Sequence, residues 1–385
     1  MSTEQQAPNL PTPETDLSYR LTSEQQDMQQ TFRRFLQDRA PLDRVRATFE
    51  SATEFDRQLW DRLTTELGLP ALTLPEHVGG DGMGMVEMSI VMHELGRSLA
   101  PTPYFATVVL AASALLAAGG DVADALLRGI ARGDTATLAF SEGQRTPTLT
   151  PLRTTASHDG RTWRLTGEKT FVLDAATATT VLLFATYGDM PSLFAINTAD
   201  PGVNITRLQT LDMSRPQGRI ILTAAPAQLI GQAGDARRIF DETLRTARVA
   251  LSAEQIGGAE RCLEMAVDYA KTRIQFNRPI GSFQAVKHKC AELFVAVELA
   301  RTASSRAAQL LAAAAPEQDS AAATAAALCA ETFAQMATEN IHIHGGMGFT
   351  WEHDAHLYYR RAKASEVLLG GPRHARALLL ESLGV

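Results

Sequence analysis

Two stretches of the sequence hold side chains able to grip an anionic ligand. The first is YAKTRIQFNRPIGSFQAVKH (269–288), which reads as a helix end, a tight Pro-Gly turn and a new helix. Arg273 falls on the last turn of the first helix. A guanidinium there can hold phosphate oxygens in a two-pronged fork, or simply sit well at the negative end of the helix dipole. The second is HIHGGMGFTWEHD (342–354), where Gly345-Gly346 allows close approach of a backbone or forms an ordinary turn. His342-x-His344 and His353-x-x-His356 could bind a metal, but no ordered carboxylate or thiolate co-ligands accompany them, and no metal site is expected. Neither a phosphate-binding loop nor a Rossmann glycine pattern is present.

The elements that position these stretches follow from periodicity and punctuation. The chain has 385 residues, 45% of them apolar and 21% charged, enough for two or three domains with a sizeable core. Residues 1–20 are polar, with neither a basic start nor an apolar run, and read as a disordered tail and not as a signal peptide. Residues 21–134 read as helical: a capping box at Thr22/Ser23 with Gln25/Gln26, a helix near 54–67 closed by Gly68 and Pro70, a Gly-rich loop LPEHVGGDGMG (74–84), a helix at 85–99, and Ala/Leu-rich helices to about Ala131. Residues 135–230 switch to short runs rich in Thr, Val, Leu and Phe between turns, a β domain. Residues 231–385 return to helical spacing at roughly 236–273, 283–314, 319–343, 353–369 and 373–383, a helical bundle. The fold class is therefore mainly α with a central β barrel or sandwich.

The net charge of −7 and the absence of a basic block argue against nucleic acid and anionic membranes as partners. The apolar stretch from Tyr104 to Ala118 is too short to span a bilayer. Cys262, Cys290 and Cys329 are far apart in helical patterns, which points to small buried side chains, reduced thiols and a cytoplasmic location.

Together these stretches resemble the acyl-CoA dehydrogenases. LPEHVGGDG (74–82) is similar to that family's N-terminal loop, GEKTFVLDA (167–175) to its β-domain segment, and 269–288 to its FAD motif, with Arg, Phe, Pro-Ile-Gly and Gln-Ala-Val at the family's spacing. The resemblance implies FAD at a subunit interface, a glutamate that takes the acyl-CoA α-proton, hydride transfer to the flavin, and electron-transferring flavoprotein as acceptor. It places Arg273, Gln275, Phe276 and Gln284 on the diphosphate and adenine side of a partner's FAD, with Gly345 and Gly346 in the second motif and His342 where glutamine is usual.

The other half of the site departs from the family. Phe140-Ser141-Glu142 is followed by Gly143-Gln144-Arg145-Thr146-Pro147 in place of proline and Gly-Ser-Asp. The β-domain position that usually gives the flavin ring a hydroxyl is Leu173. The two positions where the family carries its base are Leu369, ahead of Gly370-Gly371, and Ala247, beside Arg248. Neither accepts a proton. Glu366, three residues before Leu369, and Glu254, seven after Ala247, are the acids considered as substitutes, and solvated or structural roles suit both.

The expectation is a chain without a catalytic base that works in a hetero-oligomer, with a related subunit supplying the glutamate. Such pairs resemble those of actinobacterial steroid side-chain degradation, which GFTWEHDAHLYYRRAKAS (348–365) is also similar to. Two alternatives stand beside it. One is a self-sufficient homotetramer with a displaced base such as Glu366. The other is a non-redox acyl-CoA-binding or scaffold protein of the same fold, with a flavin monooxygenase as a related variant.

Overall fold

The computed structural model describes residues 20–51, 55–144 and 146–385. The N-terminal tail and Arg145 lie outside them, apart from Arg20. Six α-helices come first: α1 (Ser23–Arg39), α2 (Leu42–Glu50), α3 (Arg57–Thr65), α4 (Met85–Ser98), α5 (Ser113–Ala118) and α6 (Asp121–Ala131). The Thr22 hydroxyl accepts from the Gln25 N–H and the Gln25 side chain accepts from the Thr22 N–H, so α1 starts with the capping box its sequence announces. The segment before α5, Phe105–Ala112, is a π-helix and not the α-helix its composition suggests. Within it the Thr107 hydroxyl donates to the carbonyl of Ala136 at 2.9 Å and accepts from its N–H at 3.1 Å.

Seven strands follow: β1 (Ala136–Ala139), β2 (Thr155–His158), β3 (Trp163–Leu173), β4 (Thr180–Tyr187), β5 (Met190–Asn197), β6 (Val203–Arg207) and β7 (Gln217–Ile230). The pairings β4–β5, β5–β7, β7–β3 and β3–β2 are antiparallel, and a parallel β2–β4 bridge closes the sheet on itself. β1 runs parallel beside β4, and β6 flanks β7. Alternation on β4 feeds two cores. Val181, Leu183 and Ala185 fill the barrel, while Leu182 and Phe184 join the helical core. There the Phe184 ring meets the edge of Phe240, centroids 5.6 Å apart.

The last part is helical: α7 (Ala236–Thr272), α8 (Gln284–Ala312), α9 (Gln318–His344), α10 (Ala355–Val367) and α11 (Gly371–Ser382). α7 is buried along most of its length and is the axis on which α4, α8 and α9 pack. Glycine sets how closely: a Cβ on Gly96 would lie 2.0 Å from the Glu254 carbonyl oxygen, and one on Gly257 1.9 Å from that of His93. Between α7 and α8 a hairpin pairs β8 (Ile274–Gln275) with β9 (Arg278–Pro279). Cys262 and Cys329 are buried as expected, whereas Cys290 is half-buried. Among the described residues no helix is long and apolar enough to cross a membrane.

Candidate functional site

The two stretches singled out from the sequence come together at one end of the helical part. Arg273 lies one residue past α7 in an extended conformation, not on its last turn as expected, and its N–H closes the helix on the Tyr269 carbonyl at 2.8 Å. The hairpin that follows turns on Phe276 and Asn277, with φ of 53° and 60°, so both central residues are left-handed, as in a type I′ hairpin turn. A phenylalanine adopts that conformation only at a cost, and the turn holds its ring out with 86% exposure. Gln275 and Gln284 are exposed on the same rim.

α9 ends one element away. Gly345 takes φ 61° and both Gly345 and Gly346 are exposed, with nothing within 4 Å of where a Cβ would stand. His342 is exposed, its Nδ1 3.5 Å from Glu339. Tyr269 ties the two stretches together, its ring stacked on His344 with centroids 4.3 Å apart. The Arg273 guanidinium has no hydrogen bond or ion pair among the described residues. Several donors and an aromatic ring thus face outward from one edge, as a surface that grips something outside the chain would require.

The second region is a cavity of about 740 Å³ between the barrel and the joint of α10 and α11. Its barrel wall includes Phe140, Ser141, Thr170, Phe171 and Gln217, and its helical wall includes Glu366, Leu369 and Arg373. Sequence reasoning missed Thr170, Phe171 and Gln217. An irregularity in the β3–β7 register between Lys169 and Val172, with Phe171 at φ 56°, turns the Phe171 ring out of the strand's alternation. The Thr170 hydroxyl is buried without a partner among the described residues. Leu173, singled out from the sequence, instead lines a chamber of only about 30 Å³ beside Phe105 and Arg215.

The acids near this cavity have distinct fates. Glu142 is buried and accepts from Lys169 Nζ at 2.6 Å, the Thr154 hydroxyl at 2.6 Å, and the N–H groups of Arg153 at 2.6 Å and Thr154 at 3.0 Å. Burial pushes its carboxyl up, but these donors outweigh burial and hold it down at about 2. Glu254 is also buried, between Arg215 at 2.6 Å and Arg361 at 2.9 Å. Arg361 in turn holds Asp212 at 2.9 Å, fastening α10 to α7 and to the loop before β7. This bears out a structural role for Glu254 and corrects the solvated one. Glu366 pairs with Lys363 at 2.9 Å and is half-exposed at the cavity wall. Leu369 is 7% exposed at φ 58°, and Ala247 is buried in α7. Neither Leu369 nor Ala247 carries a group that can accept a proton.

Comparison with known proteins follows the same lines. Residues 22–134 match the model of the acyl-CoA dehydrogenase N-terminal domain, and residues 229–383 that of the C-terminal domain. The chain is 35% identical over 351 residues to acyl-CoA dehydrogenase IpdE2 of Mycobacterium tuberculosis, covering 91% of this chain and 94% of that one. Among solved structures, it superposes on a variant of the Tcur3481-Tcur3483 steroid ACAD with a TM-score of 0.85 at 31% identity, over 94% of this chain and 98% of that one. The ChsE4-ChsE5 complex from Mycobacterium tuberculosis gives a TM-score of 0.85 at 30% identity, over 96% and 99%.

Proposed function

The chain belongs to the acyl-CoA dehydrogenase family, and from that premise we propose that it works as the base-lacking subunit of a hetero-oligomeric acyl-CoA dehydrogenase. Membership implies FAD-dependent oxidation of an acyl-CoA thioester, for which bound FAD would supply the hydride acceptor. The residues on the exposed rim fit a nucleotide tail. Arg273 would take diphosphate oxygens in its fork, Phe276 would offer an aromatic face, and Gln275, Gln284 and His342 would donate hydrogen bonds. Gly345 and Gly346 leave room for a ligand against the backbone.

One observation carries the reading. The nucleotide-gripping groups face out from the chain, while the two positions for a base hold Leu369 and Ala247. A base needs hydrogen-bond reach of the proton it takes, and neither side chain has a proton acceptor. A related subunit therefore supplies the glutamate, and electrons leave to an electron-transferring flavoprotein. The ChsE4-ChsE5 relative is itself described as a complex of two components, which supports the pairing. The substrate class we assign is a bulky lipid or steroid acyl-CoA, from the relatives' names and the 740 Å³ cavity.

The test is to purify the chain alone and co-expressed with an acyl-CoA dehydrogenase paralogue, measuring flavin per chain and acyl-CoA turnover. The reading expects turnover only from the pair. Full flavin and turnover in the lone chain would reject it. One observation favours a self-sufficient enzyme instead, since Glu366 does line the large cavity. Glu366→Gln decides that point: the subunit reading expects the turnover of the pair to be unchanged.

A further inference from the structure

Behind the helical wall of the large cavity lies a second chamber of about 20 Å³, the size of one water or one carboxylate oxygen. Arg248 and Gln255 of α7, Ser365 and Glu366 of α10, Leu369 and Gly371 line it. Two of its polar atoms, Arg248 Nε and Ser365 Oγ, are buried with no hydrogen-bond partner among the described residues. Gln255 Nε2 is already spent on the Ser365 carbonyl at 3.3 Å, and Glu366 is drawn off to Lys363. α11 begins at Gly371 without a side-chain cap, so its first N–H groups are also unanswered by a side chain in this corner.

A mostly buried guanidinium with no carboxylate hydrogen-bonded to it among the described residues is costly to keep; burial pushes Arg248 down to about 10, Arg245 adds to that, and the more distant Asp241 and Asp319 only partly offset it. Leu369 shares the chamber, an apolar side chain on a left-handed backbone, at the position where the family's glutamate falls. We propose that Arg248, seconded by the Ser365 hydroxyl, is a carboxylate receptor that this chain retains beside position 369, and that Leu369→Glu would fill it. Arg248 is then a positioning residue. Only the identity of position 369 rests on the subunit reading above.

A double-mutant cycle on the full-length chain tests this by thermal unfolding. Arg248→Gln alone removes a buried cation that has no hydrogen-bonded carboxylate, and raises Tm or leaves it level. Leu369→Glu alone keeps Tm within a few degrees of the parent, because its carboxylate meets Arg248. The two together fall well below either single variant, so the sign of the Arg248 substitution reverses with the residue at 369. Additive effects would overturn the proposal. So would a fall in Tm from Arg248→Gln matched by an equal fall from Glu366→Gln, which would make Glu366 the occupant. If Leu369→Glu does not fold, Leu369→Gln carries the same cycle, its amide oxygen accepting from Arg248 without a charge. The cycle reads the stability of this chain alone, so it can fail while the flavin assay of the pair succeeds, and the reverse.

Discussion

Tyr269 and His344 stack face to face, ring centroids 4.3 Å apart at 30°, although one belongs to the end of α7 and the other to the end of α9. Arg273 lies four residues after the first, and Gly345 directly follows the second. His353 leans against the pair, its ring 4.3 Å from His344 and tilted by 51°. His344 Nδ1 lies 2.8 Å from the Asn340 carbonyl, so that nitrogen bears the proton, whereas His353 Nδ1 accepts from the Ala355 N–H at 3.1 Å. The rim that offers Arg273 and the glycine turn is thus held by imidazoles whose ring nitrogens are fixed by backbone partners.

Acid should loosen that rim. Burial pushes His344, His353 and His356 below the usual histidine value, and for His353 the neighbouring His344 adds to it. Arg46 and Arg360 act in the same direction at His356, while Asp354 opposes them. With folded values lowered, their contribution to stability is whole above the unfolded value of about 6.5 and is lost as pH falls toward the folded ones. Protection factors at 345–353, taken after correction for base-catalysed intrinsic exchange, should be flat above about pH 7 and fall below about 6.5. Protection that holds down to the acid unfolding of the whole chain would contradict this.

Arg273→Ala should separate binding from folding. The guanidinium has no partner among the described residues, so Tm of the lone chain should not move by more than the equivalent of about 0.5 kcal/mol. In the co-purified pair, loss of a charge-assisted hydrogen bond of about 1.5–3 kcal/mol should weaken FAD about 10- to 100-fold, read by titrating FAD into stripped protein. Gly346→Ala should behave alike, since a Cβ there meets nothing of its own chain.

What the sequence allows to be read, and what it hides, divides by range. The long helices α7 to α11 announce themselves through local spacing and end signals, and the Phe276-Asn277 turn lies inside a motif that is contiguous in sequence. Leu369 and Ala247 stand out because a resemblance says what belongs there. α2 is hidden because only nine residues carry its pattern behind Pro41. The buried pairing of Glu254 joins residues 39 and 107 positions away, beyond any window of periodicity. Its one local signal is a lone acid in the otherwise uncharged run from Val249 to Ala259. Phe171 and Thr170 are lost to the irregularity in β3, which breaks the alternation that would have sorted them.

Gly96→Ala should be among the more damaging small substitutions. Its Cβ would stand 2.0 Å from the Glu254 carbonyl oxygen, with both atoms on helix backbones that cannot swing aside. Forcing α4 off α7 should cost about 3 kcal/mol by urea unfolding, at the upper end for overpacking. It should also strain the Glu254 pairings with Arg215 and Arg361, so the measured loss should shrink when Glu254 is already replaced by Gln. A loss below about 1 kcal/mol would mean that the two helices slide apart without the usual overpacking penalty.

The buried Glu142–Lys169 pair supplies the last expectation. Lys169 is fully buried and has its Nζ 2.6 Å from Glu142 Oε1, while the same carboxylate gathers the Arg153 and Thr154 N–H groups, so one acid pins β3 to the chain entering β2. Glu142→Gln leaves the Lys169 ammonium buried without a counter-charge and should cost about 3 kcal/mol. Replacing both by a well-packed apolar pair of similar volume should cost less than that single change. The pH dependence has the opposite cause to that of the histidines but the same sign. The Glu142 carboxyl is held down at about 2 against an ordinary value of about 4.3, so its stabilisation is whole above about pH 5 and drains away toward pH 2. Urea unfolding of Glu142→Gln and the parent should therefore converge as pH falls through that window, and curves that stay parallel would show that Glu142 is not the group being titrated.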